Sequence, residues 1–176
     1  MIIFIGIAGS GKSTQGQLIA KELGCDWVST GKLFREALKD TNNPSLLAGE
    51  LISDSETIDI VKKNIEKYGK ETEFVLDGFP RTVGQAEWLV SQVEAGNYHL
   101  TLIVNLEASE EVVKDRLITR GRDDDKEEII EKRFEVFERM TKPLIRIYKN
   151  SKLPLVDIDA NRSAEEIHND IIKYLV

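Results

Sequence analysis

One segment constrains the fold more than any other. Met1-Ile2-Ile3-Phe4-Ile5 is an uncharged apolar run that stops at Gly6, and Gly6-Ile7-Ala8-Gly9-Ser10-Gly11-Lys12-Ser13 follows directly. A short apolar run bounded by glycine predicts a buried strand. From Lys12 to Leu23 the spacing of Leu18, Ile19 and Leu23, with Gly24 beyond, predicts a helix. The loop between them matches G-x-x-x-x-G-K-[ST] in full. Its glycines let backbone N–H groups curl around phosphate oxygens, and the helix N-terminus behind adds its positive end. Lys12 has the reach for the β and γ phosphates, and the Ser13 hydroxyl is of the kind that ligates Mg²⁺. The bland alternative is a glycine-rich turn with a chance lysine, which the placement between strand and helix disfavours.

Further along, Glu73 to Leu76, Leu100 to Leu106 and Leu153 to Ile158 read as strands. Between them lie helical patterns at Lys32 to Asp40, Ser45 to Ile52, Glu56 to Tyr68, Val83 to Glu94 and Ser109 to Arg120. Ser53 with Glu56 and Ser163 with Glu166 are capping-box signatures, the second opening a final helix. Lys126 to Tyr148 is one long amphipathic stretch with Ile130, Phe134, Phe137 and Leu144 on one face, which Pro143 is expected to kink or divide. Strands alternating with helices imply a parallel sheet covered on both faces, in one α/β domain spanning 1–176.

Composition narrows the function. A net charge of −7 argues against a nucleic-acid partner, and any anionic ligand must be held by cations placed locally. The single cysteine, Cys25, excludes an internal disulfide and a multi-thiolate zinc site, and fits a cytoplasmic protein. No apolar run approaches the ~20 residues of a membrane span, and the first residues lack a signal-peptide pattern, so no membrane partner is expected and the fold is expected to start at residue one. Cys25, Trp27 and Trp88 read as packing residues, and His99 and His168 as structural or surface residues.

The arginines point to a second anion. Before Arg116 the chain uses nine lysines but only two arginines, Arg35 and Arg81. Guanidinium grips phosphate through a planar fork, whereas ammonium acts as a point charge. Arg35 follows Ser29-Thr30-Gly31 and Arg81 ends Asp77-Gly78-Phe79-Pro80-Arg81, both beyond strand ends, where open α/β sheets bind ligands. Either alone would read as a surface charge; together they form a candidate second phosphate site.

Ser29-Thr30-Gly31-Lys32-Leu33-Phe34-Arg35 and Leu76-Asp77-Gly78-Phe79-Pro80-Arg81-Thr82 with Gln85 resemble the two monophosphate-binding motifs of adenylate kinases. The phosphate loop with Thr14 and Gln15, Arg116-Leu117-Ile118-Thr119-Arg120, and Arg122-Asp123-Asp124-Asp125 followed by Lys132-Arg133 are similar to theirs in the same order. The resemblance covers nearly the whole chain. It implies a P-loop NTPase-type three-layer α/β/α fold with a five-stranded parallel sheet. In it, 30–65 would be the helical monophosphate-binding part and 120–126 a vestigial lid. Gly9, Ser10, Gly11, Lys12, Ser13 and Thr14 would hold the ATP phosphates, with Arg116 against the adenine, Arg120 near the phosphates and the backbone of Arg162 at the adenine edge. Thr30, Arg35, Gly78, Phe79, Pro80, Arg81 and Gln85 would hold AMP, with backbone at Glu50, Leu51 and Ile52 lining its base. Arg122 and Arg133 would clamp the transferring phosphoryl group and belong also to the AMP site, making Lys12, Arg81, Arg122 and Arg133 the catalytic set. Asp77 would order Mg²⁺ through water beside Ser13, while Asp124 and Asp125 pin neighbouring arginines.

The implied reaction is reversible, Mg²⁺-dependent conversion of ATP and AMP into two ADP. An AMP phosphate oxygen is already ionised, so no general base is needed, in keeping with two histidines outside every motif. Thr30, Thr82 and Gln85 favour AMP over UMP or CMP. A UMP/CMP-type kinase remains the nearer alternative, and a P-loop ATPase or regulatory nucleotide binder the more distant one. Departures from the family are Ala8 for a frequent proline, Ser13 for a common glycine, and Lys32 for a usual aspartate. Only Gly121 separates Arg120 from Arg122, so the lid is nearly absent and carries no zinc ligands. Monomer and homo-oligomer both stay open.

Overall fold

Alternation along the first strand decides the layering. A computed structural model describes residues 1–37, 53–122, 125–150 and 153–175. In it β1 (Ile2–Gly6) buries both of its faces, because successive side chains of a strand point to opposite sides. Ile3 and Ile5 join one core with Leu76, Ile103, Val61, Leu89 and Leu144. Ile2 and Phe4 join the other with Val75, Val104, Ile19 and Ile167. A strand packed on both faces needs helices on both sides of its sheet, and the chain supplies them.

β1 leads through the glycine-rich loop into α1 (Lys12–Leu23), then β2 (Asp26–Ser29), α2 (Thr30–Ala37) and α3 (Asp54–Ile65). β3 (Phe74–Asp77), α4 (Val83–Glu94), β4 (Leu102–Glu107) and α5 (Glu110–Arg120) follow. The chain closes with α6 (Glu127–Val136), α7 (Lys142–Lys149), β5 (Leu155–Asp159) and α8 (Ala164–Ile172). The sheet has five parallel strands in the order β2-β3-β1-β4-β5, with the loop-bearing strand at its centre. This is the three-layer α/β/α arrangement of P-loop proteins. Among the described residues, no helix is long and apolar enough to cross a membrane.

Three local outcomes differ from the sequence pattern. β2 is Asp-Trp-Val-Ser, too short and polar to show as an apolar run; Val28 and Ser29 are buried only because β3 pairs alongside. In α1, Leu18 and Leu23 are 38% and 40% exposed, while Gln15, Gly16, Ile19 and Ala20 face the core. The reason is packing: a Cβ on Gly16 would stand 2.9 Å from Trp27 Nε1, so only glycine lets the helix settle on β2. The long stretch 126–148 is broken by a π-helical segment at Phe137–Thr141, with Pro143 in the first turn of α7 rather than at the break. The expected helix at Ser45 to Ile52 lies outside the described residues.

Caps set several helix starts. Ser53 accepts from the Glu56 amide, and Ser109 from that of Val112. Ser163 and Glu166 form the full reciprocal box. Replacing the fully buried Ile103 with alanine should lower unfolding stability in urea by about 2–5 kcal/mol. Ser163→Ala should cost about 1 kcal/mol, so the two midpoints should fall in that order.

Candidate active site

The cleft opens where the strands end. Gly9 in the loop after β1 has φ +84°, and a Cβ there would come within 2.9 Å of Leu117 Cγ and the Val113 carbonyl. Glycine therefore lets the loop lie flat against α5. Lys12, at the start of α1, folds back and donates to the carbonyls of Gly6 and Ile7, each at 2.7 Å. Burial pushes its ammonium down to about 8; Asp77 opposes this, and Arg81, Arg120 and Arg133 add to it. Burial thus holds this cation against its solvation preference. The exposed Ser13 hydroxyl donates to Asp77 Oδ2 at 2.6 Å, because β3 ends beside the loop.

Across the cleft, Gly78 follows β3 with φ +83°. A Cβ there would meet Thr30 Oγ1 at 2.8 Å and Arg81 Nη2 at 3.1 Å. The Arg81 Nε donates to the Gly78 carbonyl at 2.8 Å. Its own backbone is held at both ends: its N–H donates to Gln85 Oε1 at 2.8 Å, and its carbonyl accepts from Thr141 Oγ1 at 2.9 Å. The Phe79–Pro80 peptide is cis.

Asp125 organises the arginines on the third side. Arg120 Nε and Nη2 fork onto its two oxygens at 2.8 and 2.6 Å. The Arg122 amide donates to it at 3.1 Å, and Arg133 Nη1 stands 3.5 Å away. Its side chain is 1% exposed. Burial works against its charge, but the Arg120 and Arg122 hydrogen bonds and the charges of Arg120 and Arg133 win and hold the carboxyl below its ordinary range. On the fourth side Arg116 donates to the carbonyls of Ala160 and Arg162, at 2.8 and 3.0 Å, and so fixes the loop between β5 and α8. Arg162 in turn pairs with Asp170 at 2.5 Å.

The resulting cleft is about 600 Å³. Among the described residues it is lined by seven basic side chains, Lys12, Arg81, Arg116, Arg120, Arg122, Arg133 and Arg162, and by one carboxylate, Asp77. A protein of net charge −7 has thus placed a block of positive charge in one concave site. Low-dielectric walls focus such a field, which suits phosphate-bearing ligands. The Ser13 hydroxyl and Asp77 carboxylate are hard oxygen donors beside the loop. Magnesium typically takes one or two carboxylates together with substrate phosphates and water, so this pair fits it. No cluster of three or more His, Cys, Asp or Glu among the described residues could hold a metal ion without such help.

Of the residues singled out from sequence, Gly9 to Thr14, Asp77, Gly78, Pro80 and the seven cations line the cleft. Thr30, Phe79 and Gln85 do not; they are buried immediately behind it. Thr30 donates its hydroxyl to the Asp77 carbonyl at 3.1 Å. Gln85, 1% exposed, is no surface residue: its Nε2 donates to Asp54 Oδ1 at 2.8 Å. Glu50, Leu51, Ile52, Asp124 and the Arg35 side chain lie outside the described residues.

Thr141 and Asp54 carried no motif signal and were missed. The π-helical segment explains Thr141. Residues eight apart in a continuous α-helix diverge by about 80°, and the wider turn brings Arg133 and Thr141 to one cleft.

The sequence model of the family described as "Adenylate kinase" matches residues 4–153. "Adenylate kinase 1" of Nostoc sp. is 36% identical over 176 residues, covering 97% of this chain and 95% of that protein. The "Adenylate kinase" of Prochlorococcus marinus is 38% identical over 181 residues, covering 97% and 95%. That of Thermoanaerobacter sp. is 36% identical over 211 residues, covering 99% and 97%, so it carries insertions that this chain lacks.

Phosphates against Lys12 favour its charged form, so binding above pH 8 should draw in a proton. Calorimetry of ATP binding at pH 8.5 in buffers of different ionisation enthalpy should show net proton uptake, with affinity falling as pH rises further. Lys12→Met should abolish both the uptake and this part of the pH dependence.

Proposed function

This chain belongs to the adenylate kinase family and is a nucleoside monophosphate kinase; we propose that it makes two ADP from ATP and AMP, reversibly, across the charged cleft. The observation that carries the reading is that a complete phosphate loop, Arg81, Arg122 and Arg133 line one cleft. The relatives that match across the chain carry the adenylate kinase name, which leaves the UMP/CMP-kinase and idle-ATPase readings unfavoured.

In this reading Gly9 to Thr14 cradle the ATP phosphates, and Lys12 exchanges its two backbone carbonyls for β and γ oxygens. Arg120 faces the same phosphates, Arg116 lies against the adenine, and the loop it fixes presents the Arg162 backbone to the adenine edge. Thr30, Arg35, Gly78, Phe79, Pro80, Arg81 and Gln85 build the AMP site, with the backbone of Glu50, Leu51 and Ile52 around the base. Segment 30–65 is the monophosphate-binding part, and 120–126 serves as a vestigial lid. Ser13 and Asp77 would hold Mg²⁺ that arrives with ATP, where it would neutralise phosphate charge and orient the donor. A cytoplasmic setting is part of this reading, in keeping with a chain that has a single cysteine.

The acceptor is an ionised phosphate oxygen, so positioning and charge neutralisation do the work that a general base does elsewhere. Arg81 aims the acceptor. Arg122 and Arg133 meet the charge that spreads over the transferring group, and Asp125 keeps that part of the site assembled before either nucleotide arrives.

A coupled assay should show ADP formation that depends on AMP, and ATP alone should be hydrolysed far more slowly. Equal rates with and without AMP would overturn the reading. Arg122→Ala should lower kcat by about 10²-fold while the fold, followed by circular dichroism, stays intact.

A further inference from the structure

Asp54 opens α3, yet its carboxylate is spent on α4. Its Oδ1 accepts from Thr82 Oγ1 and from Gln85 Nε2, each at 2.8 Å. The other end of the Gln85 amide, Oε1, accepts from the Arg81 backbone N–H at 2.8 Å. These partners have fixed polarity: an ionised carboxylate only accepts, and a backbone N–H only donates. Turning the amide over would set Oε1 against a carboxylate oxygen and Nε2 against an N–H. The amide therefore has a single orientation, fixed by a backbone N–H at one end and a carboxylate at the other. The room for this contact comes from Gly84, where a Cβ would stand 2.7 Å from Asp54 Oδ2.

A carboxamide carries two N–H groups and two lone pairs. With one of each engaged by the protein, Gln85 keeps one donor and one acceptor. Adenine offers the complementary pair, an accepting N1 and a donating 6-amino group. Hypoxanthine, with a donating N1–H and an accepting 6-oxo group, offers the inverse and would need the amide reversed. We propose that Asp54 is a positioning residue that fixes the handedness of the Gln85 amide, and so makes the acceptor site select a 6-amino purine over a 6-oxo purine. The proposal rests on the reading that Gln85 meets the acceptor base.

The test compares AMP with IMP as acceptors, because the two differ only along that edge. Asp54→Ala should lower the AMP-to-IMP ratio of kcat/KM about tenfold, the scale of one hydrogen bond to a charged group, with KM for ATP unchanged. Gly84→Ala should act in the same direction by pushing the carboxylate away while keeping its charge and a good helix former in α4. It decides the matter alone should Asp54→Ala not fold. Gln85→Leu should also lower the ratio. A ratio that falls in Gln85→Leu but holds in the Asp54 and Gly84 variants overturns the role of Asp54 and leaves Gln85 as the reader. A ratio that holds in Gln85→Leu overturns the assignment of Gln85 and this inference with it.

Discussion

The register between β1 and β3 is the constraint on which the site depends. Phe4 pairs with Asp77, so β1 runs two residues past the end of β3 before its loop turns back. That offset returns the start of α1 to the β3 terminus, where Ser13 meets Asp77, and it sets Gly78 and Arg81 opposite the loop. A slip of one residue would turn every side chain of β1 to the wrong face, and both cores forbid it. The apolar alternation that drives folding thus also sets the spacing of the two proposed anion cradles.

Electrostatics supply the second constraint. Seven basic groups around one cleft repel one another, and most would prefer water. The fold offsets this by giving several of them partners before any ligand binds. Asp125 serves Arg120, the Arg122 amide and Arg133; backbone carbonyls serve Arg116 and Lys12; Asp170 serves Arg162. Carbonyls satisfy hydrogen bonds without cancelling charge, so the cleft stays positive while its side chains are already ordered. Asp125 is nearly sealed from water, and removing it would take from Arg120, the Arg122 amide and Arg133 the carboxylate that they share.

Arg81 is where separate elements meet. Its amide is tied to α4 through Gln85, and through Gln85 to Asp54 at the head of α3. Its carbonyl is tied to Thr141 at the end of the π-helical segment that follows Arg133. The helical run bearing one proposed phosphoryl clamp and the helix that closes the proposed AMP segment are therefore both tied to one residue's backbone, the second through Gln85. The π-helical segment thus touches Arg81 directly, and the head of α3 reaches it through Gln85.

The phosphate loop, the strand–helix alternation and the order of the arginines were legible in the sequence because each is a local property: backbone freedom at glycine, the period of apolar residues, the choice of guanidinium over ammonium. These determined the fold class, and the family followed from the motifs in order. β2 was not legible, because Asp-Trp-Val-Ser becomes a strand only when β3 lies beside it. The buried face of α1 was not legible from its leucines, since contact with Trp27 rewards the absence of a side chain at Gly16, which hydrophobicity does not register. Thr141, Asp54 and the orientation of the Gln85 amide belong to tertiary structure alone. Thr141 meets its partner Arg81 across 60 residues, and Asp54 meets Thr82 and the Gln85 amide across 28 and 31, so only folding brings those hydrogen-bonding groups within reach.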